Sequence, residues 1–122
     1  MPHVVIEEAF DLAAACRGIQ PIAVRDGSGI LKLVDVYLNR SGRTALVDCV
    51  VVDSAASDKG RAQAFFVQLS QKDRQITVRL LPATDPEKTD GVKRLLAMIA
   101  GQLRESSPGS RFGQTNLQDF LT

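Results

Sequence analysis

The feature that most constrains the fold is a series of apolar, β-prone runs between residues 21 and 81, separated by short turn sequences. The sequences DGSG (residues 26–29) and NRSG (residues 39–42) separate the first three runs, and their glycines tolerate the positive φ that tight hairpin turns require. The sequence QKDR (residues 71–74) separates two later runs. Runs joined by such short turns predict about five antiparallel strands in a meander.

The last two runs predict a hairpin with one apolar face and one polar face. The predicted pairs on the apolar face are Phe65–Leu80, Val67–Val78 and Leu69–Ile76, and the opposite face carries Phe66, Gln68, Thr77 and Arg79. This alternation is typical of a strand pair that has one face in the core and the other in solvent.

The hairpin around residues 39–42 is apolar on both faces. Asn39 and Gly42 fit a type I turn with a bulge, which pairs Asn39 with Arg43 and sets the register of the two strands. The predicted pairs are Leu31–Val51, Leu33–Cys49, Asp35–Val47 and Tyr37–Ala45 on one face, and Lys32–Val50, Val34–Asp48, Val36–Leu46 and Leu38–Thr44 on the other. In this register Asp35 and Asp48 lie on opposite faces, so they form no pair for acid–base chemistry or metal binding.

Two segments have the spacing of amphipathic helices. The apolar stripe of the first consists of Ile6, Ala9, Phe10, Ala13 and Cys16, and Gly18 suits its C-terminal end. The second helix is predicted to begin after Asp85 or Thr89, either of which can cap its N-terminus. Its apolar stripe consists of Val92, Leu95, Leu96, Ile99 and Leu103.

Two helices can cover only one face of such a sheet, so the sequence predicts an α+β, two-layer sandwich. Its order is helix, about five-stranded antiparallel meander sheet, helix. Residues 1–105 form a single domain in this interpretation, with a flexible surface loop at residues 54–61. Residues 106–122 form a C-terminal tail that is mobile or docks as a short helix, for which Thr115 and Gln118 have the spacing of a capping box.

The charge and the cysteine content narrow the classes of function. Fifteen basic and fourteen acidic residues give a formal net charge of +1, which provides no overall attraction to nucleic acid, anionic membranes or acidic substrates. Two cysteines, Cys16 and Cys49, are too few for a disulfide framework, and free thiols are typical of the cytoplasm. The first residues lack a signal-peptide pattern, and no apolar run reaches the roughly 20 residues of a membrane span. We therefore expect a cytoplasmic protein without a membrane partner.

No group of residues has the pattern of a catalytic, cofactor-binding or metal-binding site. Asp48 and Cys49 are neighbours in a strand and therefore point to opposite faces. The only histidine, His3, lies near the start of the sequence, so Cys49 has no evident base to take its proton. The sequence also lacks the ligand spacing of zinc or calcium sites. These observations favour a non-catalytic protein without a cofactor.

Three charged residues are candidates for a ligand site or an ion pair. Lys32 and Asp48 share one face at diagonal spacing on neighbouring strands, which favours an ion pair within an apolar face over a functional lysine. Arg79 lies on the same face as Phe66, and an arginine beside an exposed aromatic ring is one way to hold single-stranded nucleic acid. A single such pair without a further motif indicates a solvated sheet face more strongly than a nucleic-acid site.

The function that the sequence favours is a homodimeric or partner-binding module. With the helices on the face of Phe65, the opposite face is polar in the later hairpin and apolar in the first. That apolar half-sheet exceeds what a soluble monomer usually exposes. The predicted interface residues are Leu31, Leu33, Tyr37, Val47 and Val51. Two alternatives remain open: a small-ligand-binding protein or enzyme with a pocket between sheet and helices, and a single-stranded nucleic-acid binder.

Overall fold

The computed structural model describes residues 2–9, 11–27, 29–53 and 62–121. Within these ranges the chain forms a curled seven-stranded antiparallel sheet and two α-helices, which confirms the α+β class. The strands are β1 (His3–Glu7), β2 (Ile22–Asp26), β3 (Gly29–Leu38), β4 (Thr44–Val52), β5 (Ala62–Lys72), β6 (Gln75–Leu80) and β7 (Arg111–Thr115), and the helices are α1 (Leu12–Gly18) and α2 (Asp90–Ser106). Their order across the sheet is β2-β3-β4-β5-β6-β1-β7. The loop predicted for residues 54–61 lies outside the described residues.

The first strand beyond the five predicted is β1, which replaces the start of the predicted first helix. Val4 and Ile6 are fully buried, whereas Val5 between them is half-buried. β1 pairs with β6 on one side and with β7 on the other. The helical stripe that started from Ile6 was wrong, because Ile6 faces the core as part of a strand with a two-residue period.

Helix α1 begins later than predicted, after Asp11. The side chain of Asp11 accepts a hydrogen bond from the Ala13 N–H at 3.0 Å and so caps the helix N-terminus. Leu12 and Ala15 bury one face of this short helix in the core. The helix ends at Gly18, where the sequence predicted its C-terminal end.

The second additional strand is β7, in the segment predicted to be a mobile tail or a short helix. β7 pairs with β1 at one edge of the sheet, and a 3-10 turn, Gln118–Phe120, follows it. The Thr115 hydroxyl donates a hydrogen bond to the His3 carbonyl at 2.7 Å and accepts one from the Leu117 N–H at 3.0 Å. The predicted capping box is wrong, because the 3-10 turn has no side-chain cap.

The register of β5 against β6 differs by two residues from the predicted one. The observed core-facing pairs are Val67–Leu80, Leu69–Val78 and Gln71–Ile76. The turn contains only Asp73 and Arg74, with Asp73 at a φ of +55°. A shift of two residues keeps every side chain on its face, so the predicted apolar face is buried as expected.

Both helices pack on the same face of the sheet. Helix α2 contacts β1, β3, β4 and β6, and α1 contacts β3, β5 and α2. Of the two predicted caps of α2, Asp85 and Thr89, the structure has Thr89, whose hydroxyl accepts a hydrogen bond from the Val92 N–H at 3.3 Å. The predicted apolar stripe of α2 is buried. A curled seven-stranded sheet therefore replaces the predicted two-layer sandwich with about five strands, and neither helix covers its opposite face, which we call the outer face.

Candidate functional site

The register of β3 against β4 changes at a β-bulge in the middle of β3. Before the bulge the strands pair as predicted, with Leu33 opposite Cys49. Val34 is then an extra residue, and Asp35 lies opposite Asp48. The pairs beyond the bulge are Val36–Val47, Tyr37–Leu46 and Leu38–Ala45. The predicted register is therefore wrong by one residue in the half of the hairpin that adjoins the turn.

The bulge compensates for a turn that is one residue longer than predicted. The Asn39 N–H donates to the Thr44 carbonyl at 2.8 Å, and the Asn39 side chain accepts a hydrogen bond from the Thr44 N–H at 3.2 Å. Gly42 has a φ of +74°, as the turn sequence predicted. The extra turn residue shifts the register by one residue next to the turn, so different β3 residues face the core there. The extra residue Val34 takes up this shift, and the strands pair as predicted before the bulge.

Four of the five residues predicted for an interface lie in the core instead. Leu31, Leu33, Val47 and Val51 are at most 3% exposed, between the sheet and the helices. The reason is the pairing of β4 with β5. Val47 lies opposite Val67, and directly opposed residues share a face, so both belong to the helix-covered face. The prediction that these four residues form an exposed contact surface is wrong.

The outer face nevertheless has an apolar patch, which is formed by the residues of these strands that point away from the helices. Tyr37, the fifth predicted interface residue, is 53% exposed, and Ile30 and Val34 are 43% and 38% exposed. We call the following set the outer patch: Ile30, Val34 and Tyr37 on β3, Leu46, Val50 and Val52 on β4, and Ala62, Ala64 and Phe66 on β5. An apolar surface therefore spans three adjacent strands.

Three charged residues, Lys32, Asp35 and Asp48, lie among the residues of the outer patch. The bulge sets Asp35 opposite Asp48, so the prediction that these carboxylates occupy opposite faces is wrong. Asp35 Oδ1 accepts a hydrogen bond from the Val36 N–H at 2.7 Å. Neither Lys32 nor Asp48 forms a side-chain hydrogen bond, or an ion pair within 4.0 Å, with any described residue. The ion pair predicted between them is not formed in this part of the chain.

Arg79 lies on the polar half of the outer face. Its Nε donates a hydrogen bond to the Gln68 side-chain carbonyl at 3.0 Å, and the two residues are cross-strand partners. Phe66 is half-buried and lies opposite Asp48 on β4. The aromatic residue of the predicted nucleic-acid site therefore has a carboxylate on the neighbouring strand, which disfavours a phosphate backbone.

Three surface depressions lie away from these charged residues. One of about 510 Å³ is lined by Glu7, Glu8, Lys72, Asp73, Arg74 and Gln75, and one of about 300 Å³ by Pro2, Lys88, Lys93, Asn116 and Leu117. A third, of about 180 Å³, lies between α2 and the chain that follows it. The space between the sheet and the helices is filled by buried apolar side chains. Lys32, Asp35, Asp48 and Arg79 line none of these three depressions.

Burial raises the pKa of both cysteine thiols. Cys49 is fully buried, and its burial together with the charge of Asp48 raises its pKa to about 12. Burial and the charge of Asp11 raise the pKa of Cys16 to about 11. Thiols with such pKa values are protonated at neutral pH and are poor nucleophiles.

In the ranges that the structure describes, no group of three or more His, Cys, Asp and Glu side chains is placed to hold a metal ion. No helix in those ranges is both long and apolar enough to cross a membrane.

Comparison with protein-family models, with curated proteins and with solved structures finds no significant match to this chain. The outer patch and the three charges within it are the features of the fold that bear on function.

Proposed function

We propose that this chain is a non-catalytic protein-binding module that forms a homodimer through the outer patch. The observation that carries the proposal is the exposure of Ile30, Val34 and Tyr37 on a sheet face that neither helix covers. Contiguous apolar patches on a protein surface often mark contact sites. A second copy of the chain offers a surface of the same apolar character, and a two-fold contact uses the same patch on both subunits.

The exposed apolar side chains are concentrated at one end of the sheet. Among the described residues, Ile30, Val34 and Tyr37 on β3 are the large apolar side chains exposed on the outer face. Val24 and Leu38 are also exposed, but they lie opposite the buried residues Leu31 and Ala45 and therefore face the helix side. Toward β6 the outer face carries Gln68, Thr77 and Arg79 instead. The outer face therefore has an apolar region, which includes the charged residues Lys32, Asp35 and Asp48, beside a polar region.

The size of the outer patch sets the affinity that we expect. Each outward-facing position of a sheet occupies about 33 Å² of its plane, because strands lie about 4.8 Å apart and the repeat along a strand is about 6.8 Å. Nine such positions cover about 300 Å² of plane before side-chain relief is counted. Stable dimers bury about 800 Å² per partner. We therefore expect a dissociation constant on the order of 1–100 µM.

The two alternative functions have less support from the geometry. A ligand-binding protein or an enzyme needs a concave pocket, whereas Lys32, Asp35 and Asp48 are placed on an open sheet face. A single-stranded nucleic-acid binder needs a positively charged track. Here the carboxylate of Asp48 lies across from Phe66, the aromatic residue that would stack on a base.

We also propose that the protein works in the cytoplasm. Cys16 and Cys49 are both free, and free thiols are typical of a reducing compartment. The proposed dimer is held by non-covalent contacts and requires no disulfide.

The test is the solution mass of the full chain, measured by sedimentation over about 1–500 µM. The matched variants are Val34→Lys and Val24→Lys. The exposed fraction of Val24, 40%, is similar to that of Val34, but Val24 pairs with Leu31 and so faces the helix side. We expect the wild type to dimerise, Val34→Lys to weaken the dimer at least about tenfold, and Val24→Lys to match the wild type. A wild type that stays monomeric, or equal weakening by both variants, would show that the outer patch is not the contact.

A further inference from the structure

The outer patch includes one positive and two negative charges that form no ion pair with any residue in the described ranges. Asp35 and Asp48 face each other across β3 and β4, and like charges in directly opposed positions destabilise a sheet. Lys32 lies opposite Val50 in the next row along the strands, and it forms no ion pair within 4.0 Å with a described residue. Covering the patch with a purely apolar surface desolvates these charges without compensation. A suitable occupant brings a cation to the aspartates and an anion to the lysine.

We infer that the occupant is a second copy of this chain, placed so that each Lys32 lies against Asp35 and Asp48 of the partner. The inference rests on the proposed dimer and specifies its register and the residues that select the partner. In a two-fold contact every residue pair occurs twice. A chain with a cation in one row and anions in the next therefore forms the same cation–anion contact at two places. Each cluster keeps one net negative charge, because two aspartates face a single lysine.

The strand register supplies the geometry for this arrangement. Outward-facing residues repeat about every 6.8 Å along a strand. Lys32 with Val50 forms one row across β3 and β4, and Asp35 with Asp48 forms the next. A two-fold axis that lies in the interface and crosses the strands between these rows exchanges the two. The lysine of one copy then lies over the aspartates of the other on both sides of the axis.

The same axis matches apolar residues of different sizes. Ile30 and Tyr37 lie one row further from the axis on β3, on opposite sides of it, and Ala64 and Phe66 flank it on β5. Ile30 therefore meets the Tyr37 ring of the partner, and the small side chain of Ala64 leaves room for the partner's Phe66 ring. Interdigitation of this kind lets two sheets pack at a separation of about 10 Å.

A charge-exchange experiment tests the pairing. Lys32→Glu places an anion against the partner's aspartates, and the double variant Asp35→Lys/Asp48→Lys places cations against the partner's Lys32. Alone, each variant has only like charges at both contacts, so we expect its dimer dissociation constant to rise at least about 100-fold. In an equal mixture the two variants carry opposite charges at both contacts. We expect a heterodimer with a dissociation constant within about tenfold of the wild-type value, identified by its mass in native mass spectrometry.

Lys72→Glu is the matched control, because it makes the same change at an exposed lysine of the outer face. Lys72 lies at the end of β5, outside the outer patch, so this variant is expected to dimerise like the wild type. Circular dichroism shows whether each variant is folded. Asp35→Lys alone is a smaller charge exchange at the residue that lies under the partner's Lys32, and it replaces the double variant should the latter fail to fold.

The possible outcomes separate this inference from the proposed dimer. A heterodimer from the mixture, with weakened homodimers, supports the pairing. Homodimers of wild-type affinity, or a mixture that remains monomeric, overturn the pairing and leave the proposed dimer in place where Val34→Lys still weakens it. A wild type that is monomeric at every concentration overturns both.

Discussion

Asp35 and Asp48 are cross-strand partners on the outer face, although a regular hairpin with the predicted turn would set them on opposite faces. The extra residue Val34 brings them together. Like charges in directly opposed positions destabilise a sheet. Residues that violate a local structural preference, as these opposed carboxylates do, are expected at functional sites. This pair lies within the outer patch.

Deletion of Val34 is expected to leave the fold intact. Val34 is the extra residue of the bulge, so without it Leu33, Asp35 and Val36 alternate regularly and each keeps its present face. We expect the free energy of unfolding to change by less than about 2 kcal/mol, measured by urea denaturation.

Deletion of Val50 is the matched control for that experiment. Val50 also faces outward, but it lies in a regular part of β4 between the buried residues Cys49 and Val51. Its removal makes those two residues neighbours, and one of them must then turn to the outer face. We expect this deletion to abolish the native fold. Similar losses from both deletions would mean that β3 contains no bulge at Val34.

Gly91→Ala is expected to destabilise the protein, because a Cβ at Gly91 lies 2.8 Å from both Asp53 Oδ1 and Val51 Cγ1. We expect the free energy of unfolding to fall by about 1–3 kcal/mol. Gly101 in the same helix has no atom within 4 Å of an added Cβ. Gly101→Ala should therefore raise the free energy of unfolding by about 0.5–1 kcal/mol, since alanine favours a helix. Thermal unfolding of the two variants checks the opposite signs, and a shared sign would contradict this packing of α2.

The thiol of Cys49 makes stability depend on pH above neutrality. Its pKa rises from 9.0 in the unfolded chain to about 12 in the folded protein. Between these values the unfolded chain loses the thiol proton while the folded protein retains it. The free energy of unfolding therefore falls as pH rises, by about 1.4 kcal/mol per pH unit.

Urea denaturation at pH 9 to 10.5 checks this dependence, with Cys49→Ala as the comparison. The variant is expected to lose on the order of 1 kcal/mol at neutral pH from reduced packing. It should also show a shallower decrease with pH than the wild type. Parallel curves for the two proteins would mean that the Cys49 thiol is not the group responsible.

Leu117→Ala is expected to cost about 2–5 kcal/mol of unfolding free energy, because Leu117 is only 2% exposed. Leu121, four residues further along, is partly buried against the core. Leu121→Ala is therefore expected to cost clearly less. Urea denaturation of both variants gives the comparison, and a negligible effect of Leu117→Ala would indicate the mobile tail that the sequence allowed.

The candidate site was predictable only in its general nature. The sequence predicted that the first hairpin has more apolar surface than the helices can cover, and it predicted Tyr37 as part of that surface. It assigned Leu31, Leu33, Val47 and Val51 to the exposed side because both faces of this hairpin are apolar. Alternation alone cannot distinguish two apolar faces, whereas the pairing of β4 with β5 does so directly.

Local signals in the sequence by themselves determined α2, the restriction of its cap to Asp85 or Thr89, the positive φ of Gly42 and the buried face of β5 and β6. Each depends on residues close together in the chain or on a simple period, so no distant contact is needed to specify it. Tertiary structure alone decided that β1 and β7 are strands, since they pair with each other across more than 100 residues. It also decided the bulge at Val34. Both halves of β3 pack side chains against the core, and with the longer turn this requires one extra residue in the strand.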